Sequence, residues 1–318
     1  MTAGGDSLEF RQLRRADLPT FSTVLRLGIG KLERSTGLDE SAEAMPAMLS
    51  RWPIWILLGL FRLIGRPFVR IYVAVNGPRV VGTGTVFMLP HAGYVGGMAT
   101  EPEFRGRGIA SRILTMQQAE TARRGREWLV LDVESENETA IRVYQRAGYR
   151  EVGRFAWFTR PGVAPAIAPL SPGTRAATKR ELEELAAQLD RNRNADYRAA
   201  LPATERTLAH NEVLVRGFGA PHQTWIQRPP GGGLSAVRSY FIPRTEMGVY
   251  FPLFGPPDPE PEALARSFDP ATEWLRARTP RRCLAIVPEP VGAVGAALAR
   301  LGFTEVVSTT TMIRPSSA

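Results

Sequence analysis

The chain has 318 residues, a formal net charge of +9 and 44% hydrophobic residues. This length predicts two domains, and the composition is that of a globular protein, which excludes a disordered or collagen-like chain. The arginines are spread along the sequence instead of clustering with aromatic residues, so the charge predicts an anionic ligand and no nucleic-acid binding.

The N-terminal region lacks the apolar core of a signal peptide. The most apolar stretch, residues 52–65, is interrupted by Arg62 and is shorter than the roughly 20 residues that span a bilayer, so we expect no stable membrane insertion. Cys283 is the single cysteine and cannot form an internal disulfide, which is typical of the reducing cytoplasm. No metal site is predicted.

The first half alternates between strand and helix patterns, which predicts an α/β fold (α+β mixed sheet). A hairpin turn is expected at Asn76-Gly77. The predicted strands cover residues 8–13, 70–76, 79–89, 93–100, 127–134 and 149–159. The predicted helices cover residues 16–33, 41–65, 108–124 and 138–147.

The second half repeats the first. Residues 146–161 read RAGYREVGRFAWFTRP, and residues 300–315, at an offset of 154, read RLGFTEVVSTTTMIRP. The same offset aligns WLVLDV, which begins at Trp128, with RCLAIV, which begins at Arg282. Two matches in one register predict tandem copies of one α/β unit, as domains 1–162 and 163–318. Residues 161–173, rich in Pro, Gly and Ala, have the composition of a linker.

A glycine-rich turn with two arginines precedes the helix predicted from residue 108. Residues 96–111 read GGMATEPEFRGRGIAS. Glycines bring backbone N–H groups close to a ligand, and a helix start offers unpaired N–H donors with the positive end of the helix dipole. The turn, with Arg105 and Arg107, therefore suits a pyrophosphate.

Two motifs in this half resemble those of the GNAT superfamily of N-acetyltransferases. Arg105-x-x-Gly108-x-Ala110 fits one signature, and Asn137 with Tyr144 and Gly148-Tyr149 fits a second one at the expected spacing. The resemblance implies two tandem GNAT-like acyltransferase domains and acetyl-CoA as the acyl donor.

The resemblance also implies individual roles. The backbone of Met98, Ala99 and Thr100 and the Asn137 side chain would bind the pantetheine arm, while Tyr144 would protonate the departing thiolate, because a phenol and a thiol have similar pKa values. The turn residues that would hold the pyrophosphate are Arg105, Gly106, Arg107, Gly108, Ile109, Ala110 and Ser111.

Other roles for these residues stay open. Asn137 could simply begin its helix, as could Ser135 paired with Glu138. Tyr144 could be a core aromatic residue. The base that deprotonates the acceptor amine is Glu134 in the first interpretation. Asp132, His91 or an ordered water are the alternatives.

The second copy lacks these motifs. At the same offset Val291 replaces Asn137, Leu298 replaces Tyr144, and residues 259–264 (PEPEAL) replace the turn. We therefore expect a degenerate copy that serves the structure, the acceptor pocket or a homodimer. The predicted function is acyl-CoA-dependent N-acylation of a primary amine, and the alternative is a non-catalytic acyl-CoA sensor or scaffold.

Overall fold

The computed structural model describes residues 7–36, 69–164, 174–209, 220–227, 235–254, 264–265 and 267–317. The predicted helix over 41–65, with its apolar stretch, lies outside these residues, and so does most of the predicted linker. Each helix in the described ranges is too short or too polar to cross a membrane.

The first compact unit comprises residues 1–151 together with 310–318. Its strands follow the order β1-β2-β3-β4-β5-β12 in a mixed sheet, in which β4 and β5 are parallel. The strands are β1 (Leu8–Gln12), β2 (Val69–Asn76), β3 (Arg79–Met88), β4 (Ala92–Thr100), β5 (Trp128–Glu134) and the end of β12 (Thr304–Pro315). The helices are α1 (Leu18–Leu27), α2 (Lys31–Thr36), α3 (Ile109–Arg123) and α4 (Glu138–Arg146).

The single helix predicted over residues 16–33 is wrong. A short 3₁₀ turn leads into α1, which ends at Leu27, and α2 begins at Lys31. Glycines at 28 and 30 interrupt the helical pattern, because glycine has the highest conformational entropy to lose in a helix. The break lets α2 begin beside the end of β5, where the site is found.

The second compact unit comprises residues 152–309. Its strand order, β7-β8-β9-β10-β11-β6, matches that of the first unit, with β10 and β11 as the parallel pair. Its strands are β6 (Arg150–Pro161), β7 (Arg175–Ala176), β8 (His222–Gln227), β9 (Ser235–Ile242), β10 (Met247–Phe254) and β11 (Arg282–Pro288). Its helices are α5 (Lys179–Asn192), α6 (Ala195–Ala200), α7 (Asp269–Arg276) and α8 (Gly292–Arg300).

The offset of 154 residues that the sequence predicts relates the last three elements of each half residue for residue. It maps β5 onto β11, α4 onto α8 and β6 onto β12 without a shift at either end. Gly148 and Gly302 follow the two helices with φ of 85° and 77°. The mixed α/β fold class is confirmed, whereas the division at residue 162 stays a prediction.

Most of β6 belongs to the second compact unit and the end of β12 belongs to the first, an exchange that the sequence did not indicate. In the first unit Arg314 of β12 donates to the carbonyl of Ala147 at the end of α4 and lies over the ring of Tyr149. In the second unit Arg160 of β6 makes the equivalent contacts with Leu301 and Phe303. The duplicated Arg therefore caps the helix of the opposite half.

Replacing Arg314 by Met is expected to lower the free energy of unfolding by about 1–3 kcal/mol, because the carbonyl of Ala147 loses a charged donor. The control is Arg146→Met, an exposed position in the last turn of α4 with the same change in net charge. Urea unfolding measures both. Equal stability of the two variants would show that the cap contributes nothing.

Candidate active site

The parallel pair β4–β5 opens into a cleft. Backbone pairing runs from Ala92 with Trp128 to Val95 with Leu131 and ends there, although both strands continue. On its other side β4 stays paired with β3 up to Thr100, past a bulge at Gly97 and Met98. The β5-facing backbone of residues 96–100 therefore borders the cleft, as the predicted pantetheine strand would.

The glycine-rich turn lies at one side of this cleft. Gly106 and Gly108 have φ of 76° and 75°, which only glycine adopts readily, and an added Cβ at either would meet open space. The first helical hydrogen bond of α3 runs from the Arg112 amide to the Gly108 carbonyl at 3.0 Å, so the amides of the first turn have no partner within the helix. The turn has the geometry of an anion-binding helix start.

Both arginines of the turn are exposed. Nε of Arg105 donates to the carbonyl of Thr100 at 3.3 Å, which ties the turn to the end of β4. The guanidinium of Arg107 lies 4.8 Å from the ring centre of the buried Phe104. Their charges add to the positive end of α3 at the cleft.

The helix α4 begins at the other side of the cleft, where Asn137 is its N-cap. Oδ1 of Asn137 accepts a hydrogen bond from the Ala140 amide at 3.1 Å. The prediction that Ser135 and Glu138 could cap the helix is wrong, since Ser135 pairs with Thr310 and Glu138 with Arg142. The Asn137 cap uses only the amide oxygen, so its NH₂ group can also serve a ligand.

Tyr144 points inward from α4 and is buried, with its ring packed edge-on against Tyr149 at 5.9 Å. Burial raises the pKa of Tyr144 to about 12. The close match to a thiol pKa that the sequence predicts is therefore not found. Burial instead keeps this phenol protonated at neutral pH, as a proton donor must be.

Tyr94 and Asp132 connect the two strands where they part. The Tyr94 hydroxyl donates to Oδ2 of Asp132 at 2.8 Å, and Thr311 of β12 donates to Oδ1 at 2.6 Å. Burial, and then the charge of Asp132, raises the pKa of Tyr94 well above its usual value. Because these bonds engage both carboxylate oxygens, Asp132 is a positioning residue here more than a free base.

Two carboxylates meet where α2 begins beside the end of β5. Oε1 of Glu134 accepts from the Leu32 amide at 2.6 Å, and Oε2 of Glu33 accepts from the Gly30 amide at 2.7 Å. An added Cβ on Gly30 would clash with Glu134 and lie 3.2 Å from Oε2 of Glu33. Gly30 therefore lets the two carboxylates approach each other.

The second carboxylate, Glu33, was missed in the sequence. Burial raises the pKa of Glu33, and the charge of Glu134 raises it further, against the hydrogen bond from Gly30. Its position three residues after Gly30, typical of a capping box, was the available signal. His91, one of the alternative bases, is exposed in the turn before β4.

Glu33 and Tyr144 both lie near Tyr94. The charge of Glu33 raises the pKa of Tyr94, and Tyr144 would raise it further only if its own phenol ionised. The structure therefore brings together a carboxylate whose pKa is raised and a buried protonated phenol around the end of the β4–β5 pairing. The glycine-rich turn and Asn137 lie at the helix starts on its two sides.

Residues 37–149 match the family model of the GNAT acetyltransferases. The two signatures that the sequence predicts, at residues 105–110 and 137–149, both lie within this matched region. Over 83 residues the chain is 30% identical to N-alpha-acetyltransferase 30 of Schizosaccharomyces pombe. This match takes 24% of the chain and spans about half of that relative, 55% of its length.

Solved structures resemble the whole chain and not only the residues that match the family model. A GCN5-related N-acetyltransferase from Sphaerobacter thermophilus has a TM-score of 0.62 and 13% identity, with 97% of this chain and 96% of that one covered. A tandem GNAT protein from the clavulanic acid biosynthesis pathway has a TM-score of 0.55 and 16% identity, with coverage of 98% and 99%. At these identities the likeness concerns the fold, which is that of two GNAT-like units.

Proposed function

We propose that this protein transfers an acetyl group from acetyl-CoA to a primary amine in the first unit. The observation that carries the proposal is the cleft beyond Val95 and Leu131, which has an anion-binding helix start on one side and the buried Tyr144 on the other. The match of residues 37–149 to the GNAT family model supports the acyl donor and the reaction class.

The cleft offers a separate group to each part of the donor. The first-turn amides of α3, with Arg105 and Arg107, would bind the pyrophosphate. The unpaired edge of β4 from Met98 to Thr100 would bind the amides of the pantetheine arm as an added strand does. The NH₂ group of Asn137 would donate to a pantetheine carbonyl from the opposite side.

Two groups would move the protons of the reaction. The amine nitrogen attacks the thioester carbonyl, and the carbon–sulfur bond breaks as the amide bond forms. The proton lost by the amine goes to Glu33, whose raised pKa makes it a stronger base than an ordinary carboxylate. The departing thiolate takes its proton from Tyr144. In this scheme Glu134 holds the start of α2 through the Leu32 amide, and it is the alternative base.

The proposed activity is tested by measuring thiol release from acetyl-CoA with a panel of primary amines. The expected result is amine-dependent thiol formation with one equivalent of acetylated amine for each CoA. Binding of acetyl-CoA without thiol release from any amine would favour the sensor or scaffold instead.

Charge reversal in the glycine-rich turn, as Arg105→Glu with Arg107→Glu, is expected to weaken CoA binding about a hundredfold or more, because each charged hydrogen bond contributes roughly 1.5–3 kcal/mol. Pantetheine, which lacks the pyrophosphate, should bind these variants as it binds the wild type. Calorimetry measures both ligands.

The matched control reverses Arg142 and Arg146, two exposed arginines of α4, to Glu. This pair makes the same change in net charge away from the turn, and we expect nearly unchanged CoA affinity. If pantetheine weakens as much as CoA in the first variant, the turn does not bind the pyrophosphate.

A further inference from the structure

The second unit contains an open cavity of about 640 Å³, and the described residues that line it all belong to this unit. It lies where β10 and β11 part, since these strands pair only from Met247 with Arg282 to Tyr250 with Ala285. The strand ends and the start of α8 line the cavity. Its volume is within the range of small-molecule sites, about 300–1,000 Å³.

This cavity occupies the same place in the second unit as the β4–β5 cleft does in the first. The offset of 154 residues maps the polar residues of that cleft onto apolar residues that line the cavity. These replacements are Ile286 for Asp132, Pro288 for Glu134 and Val291 for Asn137. In the second unit the two parallel strands therefore still part, and apolar side chains line the space where the first unit has polar side chains.

The remaining walls are mostly apolar, and three charged side chains, Arg154, Arg193 and Glu289, also line them. Arg154 is exposed, and the other two are engaged by protein groups. Arg193 donates to the carbonyls of Leu201 and Leu208 and pairs with Asp190, while Glu289 accepts from the Ser308 hydroxyl at 2.6 Å. A charged ligand group would have to compete with these partners. The apolar wall residues include Phe155, Leu189, Tyr197, Phe251, Leu253 and Val294.

An apolar cavity open to water is unfavourable, because water against apolar side chains raises the free energy. A copy kept for structure alone gains stability when larger apolar residues fill such a cleft. The cleft has stayed open while its lining became apolar, and the sequence opposite the pyrophosphate turn offers two carboxylates and no glycine. These features favour a ligand, and they disfavour CoA.

We propose that the cavity of the second unit binds a neutral, largely apolar small molecule at a site separate from the acyl-CoA site. The ligand lies between the ends of β10 and β11 against the start of α8. Apolar contact with Pro288, Val291 and Val294, which are exposed or half-buried in the lining, supplies its affinity.

The probes are 1-octanol and octanoate, which share a chain and differ in charge, titrated into the full-length protein by calorimetry. The expected result is binding of 1-octanol to one site with a negative heat-capacity change, and affinity for octanoate about tenfold weaker or worse. A saturating amount of acetyl-CoA should not displace 1-octanol.

The matched variants are two alanines of α8. Ala293→Phe fills the cavity from its lining and should weaken 1-octanol at least about tenfold, whereas Ala296→Phe, exposed on the same helix, should leave it unchanged. Val291→Asn places a polar group in the lining at little change in volume, so it gives a second test if Ala293→Phe does not fold. We expect weaker binding there as well.

Three results would overturn the proposal. These are absence of 1-octanol binding up to about its solubility limit, equal affinity for octanoate, and equal affinity in the lining and exposed variants. Displacement of 1-octanol by acetyl-CoA would also overturn it, since the probe would then occupy the cleft of the first unit. None of these outcomes depends on whether the chain acetylates an amine.

Discussion

Replacing Tyr144 by Phe should lower the turnover number by about two to four powers of ten, the loss expected when an acid–base group is removed. Phe keeps the buried ring and its edge-on contact with Tyr149 and removes only the proton. Acetyl-CoA affinity and melting temperature should therefore change little. Because the pKa of Tyr144 is about 12, its ionisation should not limit turnover at neutral or mildly alkaline pH.

Tyr149→Phe is the matched control for this experiment. Its hydroxyl is also buried, and among the residues that the structure describes it has no hydrogen-bond partner. The second half has Phe303 at the equivalent position. Removing this hydroxyl should leave turnover near the wild-type rate and the fold at least as stable. Wild-type turnover in Tyr144→Phe would exclude this phenol as the proton donor.

The sequence predicted the fold well because its signals are local. Strand and helix periodicity, the Asn76-Gly77 turn and the glycines after α4 and α8 each act within a few residues. The duplication then predicted the end of the second half, since one offset aligns its last two strands and the helix between them with those of the first half without a shift. The glycine-rich turn and the helix start at Asn137 were predictable for the same reason.

The rest of the site depends on contacts between residues far apart in the chain. Thr311 contacts Asp132 only because the end of β12 belongs to the first unit. The sequence pattern around either residue does not predict this exchange of strands. Glu33 gains its raised pKa from burial and from Glu134, about a hundred residues later. Secondary-structure propensities and residue spacing do not indicate how deeply a side chain such as Glu33 is buried.

The exchange of strands has a physical basis in the duplication itself. Two copies of one strand, β6 and β12, carry the same Arg and Pro at their ends, so each can cap either helix with the same contacts. Sequence alone cannot choose between two nearly equal pairings. The compact units show which pairing this fold adopts.

Replacing Glu33 by Gln should lower turnover by about two to four powers of ten if Glu33 accepts the proton of the amine. A base works only when it is deprotonated, so wild-type turnover should rise with pH through the pKa of Glu33, which burial raises above its usual value. The variant should lose this rise in its pH–rate profile. Gln keeps an oxygen that can accept from the Gly30 amide, so α2 should still begin at the same place.

Stability separates the catalytic role of Glu33 from a structural one. Its pKa is raised on folding, so the stability it contributes is fully present below the unfolded-state pKa and is lost as pH rises through the folded-state pKa. At neutral pH the buried charge is unfavourable, and Glu33→Gln should be no less stable than the wild type.

Glu134→Gln, which keeps an acceptor for the Leu32 amide, should retain turnover within about tenfold and keep the pH-dependent rise. If the rise disappears in Glu134→Gln and persists in Glu33→Gln, the base is Glu134.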